Sequence, residues 1–237
     1  MTAQVTMMTL VNSAHSRLVS FAKNSQGKDY IVGDIHGHYE RLMSQLKELN
    51  FDFSCDRLFC VGDLIDRGPD SAKVLAMLAE PWFFSLLGNH EYFMLSGLKY
   101  NNSKHKMLWL QNGGEWIASS DPSQWPTWFE HLAQLPIAIQ LEGQDGKTYG
   151  LLHADFPSND WAHFADFEQA ELETCIWSRR HFASRSDHVV AGIDYLVHGH
   201  NSTNNIVNGE SEALTLGNRL YIEPGAYKGA RFVIVAV

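Results

Sequence analysis

Short apolar runs that break off at Gly followed by Asp, His or Asn constrain this chain more than any other feature. Tyr30-Ile31-Val32 runs into Gly33-Asp34-Ile35-His36-Gly37, and Leu58-Phe59-Cys60-Val61 into Gly62-Asp63-Leu64-Ile65-Asp66-Arg67-Gly68. Phe83-Phe84-Ser85-Leu86-Leu87 runs into Gly88-Asn89-His90-Glu91. Later, Tyr149-Gly150-Leu151-Leu152 ends at His153-Ala154-Asp155, and Tyr195-Leu196-Val197 at His198-Gly199-His200. Runs of this length, rich in β-branched and aromatic residues and closed by turn formers, predict strands. Further strands are expected at 137–139, 220–222 and 231–237. Helical spacing separates the early ones: Leu42, Leu46 and Leu49 share one face, as do Val74, Leu75 and Leu78. Strand–loop–helix units followed by a strand-rich end predict an α/β fold of sheets covered by helices. Residues 101–135, rich in Trp, Asn and Gly and broken by Pro122 and Pro126, predict an irregular helical insertion near the site.

The 237 residues suit one domain, expected over 29–237. Residues 1–28 are mixed and polar and read as an N-terminal extension, a short surface helix or a frayed arm. They lack a basic start, a clean apolar run and a small-residue cleavage site, so no secretion signal is expected. No stretch approaches eighteen consecutive apolar residues, which excludes a membrane-spanning helix. Cys55, Cys60 and Cys175 are odd in number and have no tight pair spacing, which argues against a disulfide framework and a thiolate zinc site. A cytoplasmic setting fits. The net charge of −9 argues against a nucleic-acid scaffold, and any phosphate site here must carry its own local positive charge.

Bound cations would supply that charge. In open α/β sheets ligands collect beyond the carboxyl ends of strands, and five strands here deliver Asp, His or Asn to such an edge. Carboxylate, imidazole and amide oxygen are the donors that hard and borderline divalent cations take. Two such ions can bind phosphate oxygens and convert a bridging water into the attacking hydroxide. Each motif alone is a common turn or helix cap; together and in order, each at a strand end, they point to a two-metal phosphoesterase.

These residues resemble the phosphoprotein phosphatase family of metallophosphoesterases, whose signature GDxHG, GDxxDRG and GNHE is complete here. His153-Ala154-Asp155, Ile176-Trp177-Ser178-Arg179, Gly199-His200, Trp109 and Asn112-Gly113-Gly114 look like its short bacterial and bacteriophage lambda-type branch of serine/threonine protein phosphatases. The resemblance runs from about residue 30 to 235 and implies a calcineurin-like fold, a sandwich of mixed β-sheets flanked by helices in αββα layers. It implies Asp34 and His36 as ligands of a first metal, Asp63 as the bridging carboxylate, and Asn89, His153 and His200 as ligands of a second. His90 matches a general acid, Asp66 its carboxylate partner, and Arg67 and Arg179 the guanidinium groups that hold phosphate. The cofactors implied are two divalent ions, Mn²⁺ first, with Fe²⁺ or Zn²⁺ as alternatives.

The expected substrate is a phosphorylated protein or peptide carrying phosphoserine or phosphothreonine, with phosphotyrosine as an extension. The chain is expected to act as a monomer, with no nucleic-acid or membrane partner. The alternative is hydrolysis of bis(5′-nucleosyl) tetraphosphates, although that branch usually has His-Ala-Gly where this chain has His153-Ala154-Asp155. Two departures from the lambda-type pattern stand out: Asn201-Ser202 where Thr-Pro is usual, and Ile222-Glu223-Pro224-Gly225 where an Asp-Thr-Gly-like stretch is usual. His38, His105, His131, His163, His181 and His188 read as surface or helix residues. His198 lies two residues before His200, on the same strand face, but matches no ligand position.

Overall fold

The computed structural model describes residues 17–204 and 212–237. Among the described residues, ten strands form two sheets. The smaller contains β2 (Asp29–Val32), β3 (Arg57–Cys60), β4 (Phe83–Ser85) and β10 (Ile234–Ala236), in the order β10-β2-β3-β4. The larger contains β1 (Leu18–Phe21), β5 (Ala138–Glu142), β6 (Thr148–Leu152), β7 (Tyr195–His198), β8 (Leu214–Leu216) and β9 (Arg219–Tyr221), in the order β1-β5-β6-β7-β9-β8. β2, β3 and β4 are parallel, as are β6, β7 and β9, so the carboxyl ends of three strands in each sheet share an edge.

Alternation along the strands divides the core. Ile31, Phe59 and Val61 from one sheet cluster with Ile139, Leu141, Leu151 and Val197 from the other, forming the apolar layer of a sandwich. The opposite faces turn Tyr30, Val32, Leu58 and Cys60, and likewise Leu152 and Leu196, toward the helical cover. On the smaller sheet that cover includes α1 (Tyr39–Glu48), with Leu42 and Leu46 fully buried, and α2 (Ser71–Ala76). This is the calcineurin-like arrangement of mixed sheets flanked by helices. α3 (Asn89–Met94) leads into the insertion, which contains α4 (Ser103–Gln111), two 3-10 turns and α5 (Trp125–Ala133). α6 (Gln169–Trp177) and α7 (Arg180–Ser184) follow β6. No described helix is long and apolar enough to cross a membrane.

The reading of residues 1–28 as a surface helix or arm needs correction where the chain is described; its first 16 residues lie outside the described part. Leu18–Phe21 is a strand paired parallel to β5, with Leu18 opposite Ala138. Phe21 fixes it by packing edge-on against Phe59 and Phe84, with ring centroids 5.0 and 4.8 Å away. Asn24 then closes a turn by accepting the N–H groups of Gln26 and Gly27. Two strand expectations were too long: β4 stops at Ser85, and only Ile234–Ala236 of the carboxyl-terminal run pairs. β8 was not anticipated.

Candidate metal centre

The strand ends bring all six expected ligands together. β2, β3 and β4 carry Asp34 and His36, Asp63, and Asn89; β6 and β7 carry His153 and His200. His36 Nε2 lies 3.7 Å from Asp63 Oδ2 and 4.0 Å from Asp34 Oδ2. His153 Nε2 lies 3.4 Å from Asp63 Oδ1 and 2.9 Å from Asn89 Oδ1. The His153 and His200 rings meet edge to face at 4.9 Å. Donor atoms of His36, Asp63 and His90 lie within 4.8 Å of one another, and so do those of Asp63, His153 and His200. Asp63 belongs to both groups, one oxygen toward each. Two divalent ions sharing a carboxylate fit this donor set.

Contacts behind the ligands agree. His36 Nδ1 meets the Ile65 carbonyl at 2.9 Å and His153 Nδ1 the Val61 carbonyl at 2.8 Å. A ring nitrogen facing a carbonyl carries the proton, which puts the lone pair of each ring on Nε2, the atom on the Asp63 side. Burial foremost lowers the basicity of His36, His153 and His200, favouring the neutral, ligating form. At Asp63 burial acts upward, but His153, His90, His36 and His200 outweigh it and hold the carboxyl below its usual value.

The backbone here is strained. His36 (φ 44°), Asp63 (51°), Asp66 (76°), Arg67 (68°) and His200 (59°) all adopt the left-handed region and make up five of the eight non-glycine residues described there. Such conformations cost roughly 1–3 kcal/mol each and persist only where the surroundings enforce them. Gly62 precedes Asp63 at φ 96°, and a Cβ there would lie 2.9 Å from both Gly88 Cα and His153 Nδ1. Glu91 enforces the turn. Its Oε2 accepts the N–H groups of Asp63 (2.9 Å) and Gly88 (3.0 Å), and its Oε1 those of Leu64 (2.8 Å) and Ile65 (3.3 Å). Burial above all, then the Asp63 charge, pushes the Glu91 carboxyl up to about 8. The sequence reading gave Glu91 no role, although its place three residues after Gly88 is a capping position.

Beside the ligands, His90 Nδ1 lies 2.6 Å from Asp66 Oδ2. Trp109 and Trp116 donate their indole N–H groups to Asp66 Oδ2 (2.7 Å) and Oδ1 (2.6 Å), so the insertion grips this carboxylate. Burial lowers the His90 imidazole, but Asp63 and then Asp66 more than offset it and hold it above its ordinary value. Arg67 reaches His36 Nε2 at 2.6 Å and His90 Nε2 at 3.0 Å, while the Tyr227 ring lies 4.5 Å from its guanidinium carbon. Arg179 donates to the His200 carbonyl (2.8 Å) and Asn201 Oδ1 (3.0 Å). The segment carrying Arg179 is held by buried Asp155, which accepts from Ser178 Oγ (3.1 Å), His181 N–H (3.2 Å) and His181 Nδ1 (2.8 Å). Trp116, Tyr227 and Asp155 had no assigned role in the sequence. His198 stacks on Tyr221 at 5.1 Å and joins neither donor group.

Comparison with known proteins agrees with this geometry. Residues 30–204 match the family described as calcineurin-like phosphoesterase. The chain is 32% identical over 205 residues to serine/threonine-protein phosphatase 2 of Escherichia coli (strain K12), covering 85% of this chain and 89% of that protein. It is 35% identical over 119 residues to the symmetrical bis(5′-nucleosyl)-tetraphosphatase of Hamiltonella defensa, covering 48% of this chain and 41% of that protein. Among solved structures, one titled a putative diadenosine tetraphosphatase superposes with a TM-score of 0.65 at 22% identity, covering 94% of this chain and 98% of that one, a likeness of fold alone.

Proposed function

The chain belongs to the calcineurin-like phosphoesterase family, and from that premise we propose that it is a serine/threonine protein phosphatase that hydrolyses phosphomonoesters at a two-metal centre. The observation that carries the reading is Asp63 shared between two donor groups, one with His36 and His90 and one with His153 and His200, His90 being paired at the same time with Asp66. Asp34, His36 and Asp63 would hold one ion, and Asp63, Asn89, His153 and His200 the other. Bound divalent cations, Mn²⁺ in our reading, supply Lewis-acid polarisation of the phosphoryl oxygens and acidify water.

The remaining chemistry belongs to the chain. Arg67 and Arg179 fork the phosphate oxygens, a geometry that lysine cannot reproduce. His90 has its Nδ1 on Asp66, and with Arg67 drawn from its Nε2 onto the phosphate it would donate from Nε2 to the departing alkoxide of the serine or threonine. A positioned acid of this kind contributes about 10²–10⁴ in rate. Asp66, fixed by two indole donors, keeps the ring oriented and its cationic form favoured.

Support for a protein substrate comes from coverage: the phosphatase relative matches along 85% of the chain, the tetraphosphatase relative along 48%. The test compares turnover of a phosphoserine peptide, p-nitrophenyl phosphate and a dinucleoside tetraphosphate on one Mn²⁺-loaded preparation, with His90→Asn alongside. The proposal expects the peptide to be the best substrate and the variant to lose it by at least a hundredfold. The aryl ester, with its better leaving group, should lose less. Preference for the dinucleotide would replace the proposed substrate, and undiminished peptide turnover by His90→Asn would remove the proposed acid.

A further inference from the structure

β9 lies parallel to β7, with His198 opposite Tyr221. Two residues beyond that pair, β7 delivers His200 and β9 delivers Glu223, so the two side chains leave the same sheet edge at equivalent positions. β2 does likewise, ending at Val32 with Asp34 two residues on. Glu223 is thus placed as the other strand-end ligands are. It is 2% exposed.

Its two oxygens have different surroundings. Oε1 accepts the N–H groups of Gly225 (2.6 Å) and Ala226 (3.0 Å), closing the turn after β9. Oε2 is buried and has no hydrogen-bond partner. A buried carboxylate oxygen without a donor is unfavourable unless something positive or protic meets it. That oxygen lies beside the Asp34 loop: a Cβ on Gly33 would be 3.3 Å from it, and only 2.6 Å from the Ile222 carbonyl. Gly33 is therefore what lets the two loops approach so closely. A shorter side chain capping the same turn would not extend a second oxygen so far.

We propose that Glu223 is a further oxygen donor to the divalent-cation site on its Asp34 side, with Oε1 anchoring the turn and Oε2 facing the cation directly or through one water. The inference rests on the two-metal reading above and adds a residue to it. Removing such a contact typically lowers metal affinity roughly tenfold to a hundredfold.

Calorimetric titration of Mn²⁺ into the metal-stripped full chain tests it, using wild type, Glu223→Gln and Glu223→Asp, with melting of each followed before and after Mn²⁺ addition. Gln keeps an acceptor for both turn amides. Asp keeps the charge but withdraws the second oxygen by one methylene. The expectation is two sites in wild type, one of them at least tenfold weaker in both variants, and a smaller rise in melting temperature on Mn²⁺ addition. Metal-free Glu223→Gln should melt close to wild type, because its amide oxygen keeps both turn N–H groups and its NH₂ takes the place of an oxygen that had no partner. Two Mn²⁺ sites unchanged within twofold in both variants would overturn the role of Glu223 and leave the metal centre intact. No Mn²⁺ uptake by wild type would overturn the two-metal reading itself.

Discussion

Replacing Glu91 by Gln tests how the loop that carries Asp63 is held. Both Glu91 oxygens accept two backbone N–H groups. A carboxyl proton on either oxygen would point at an N–H, so this geometry demands the carboxylate, whereas burial pushes toward the neutral acid. Gln is nearly isosteric and presents one oxygen and one NH₂, which leaves two of the four amides facing a donor. Each buried donor left unpaired costs about 1–3 kcal/mol, so the substitution should destabilise by about 2–6 kcal/mol. For a chain of this size that corresponds to a melting shift of roughly 5–20 °C. Glu91→Ala strands all four amides at about 4–12 kcal/mol, comparable with a typical total stability of about 5–15 kcal/mol, and should leave little folded protein. The assay is urea unfolding of metal-stripped protein at pH 7, followed by tryptophan fluorescence. If Glu91→Gln lies within about 1 kcal/mol of wild type, Glu91 is already a neutral acid, and the four-amide clamp is not what enforces the positive φ of Asp63.

Other expectations follow from the same contacts. Arg179→Ala should raise KM for a phosphopeptide by about tenfold to a hundredfold, the worth of a charge-assisted bond, with Arg179→Lys recovering only part; equal KM values for both variants and wild type would detach Arg179 from the phosphate. Asp155→Ala frees Ser178 and His181, so KM should rise in the same direction, and the loss should largely vanish in an Arg179→Ala background. Fully additive losses would show that Asp155 acts elsewhere. Trp116→Phe removes one of three donors to buried Asp66 and should cost about 1.5–3 kcal/mol of stability, read by denaturant unfolding; an unchanged midpoint would mean that the indole contact contributes nothing. Chelation should abolish turnover and lower the melting temperature, and Mn²⁺ should restore both. Retained activity in a chelated sample shown to be metal-free would end the metal-dependent mechanism.

Much of the fold was legible because burial on both faces leaves continuous apolar runs, and the loops that close them here are short and rich in Gly, Asp, His and Asn. Such runs marked most of the strands of both sheets, and Leu42 and Leu46 marked α1 through their spacing. β1 was not legible. Its four residues have no alternation, and its pairing with β5 spans about 120 positions, so it is defined by contacts distant in sequence, the ladder with β5 and the packing of Phe21 on Phe59 and Phe84. β8 did leave a signal, since Gly217-Asn218 joins it to β9 as a two-residue hairpin with Gly217 at φ 59°. Strand-end position marked the edge where Asp34, His36, Asp63, Asn89, His153 and His200 lie, but it also marked Asp155 and His198, and only the family resemblance singled out the six. Glu91 and Asp155 stood in the motifs without a role, and Trp116 and Tyr227 stood outside them, because all four hold neighbours rather than chemistry, and holding requires knowledge of who the neighbours are.

The donors come from both halves of the sandwich: Asp34, Asp63 and Asn89 from one, His153 and His200 from the other. A cation held by Asp63 together with His153 would therefore act as a rivet through two plates, and its binding strength would measure how well those plates have seated. An incompletely docked folding intermediate would bring only part of the donor set, so metal uptake by this chain should report completion of the fold rather than precede it.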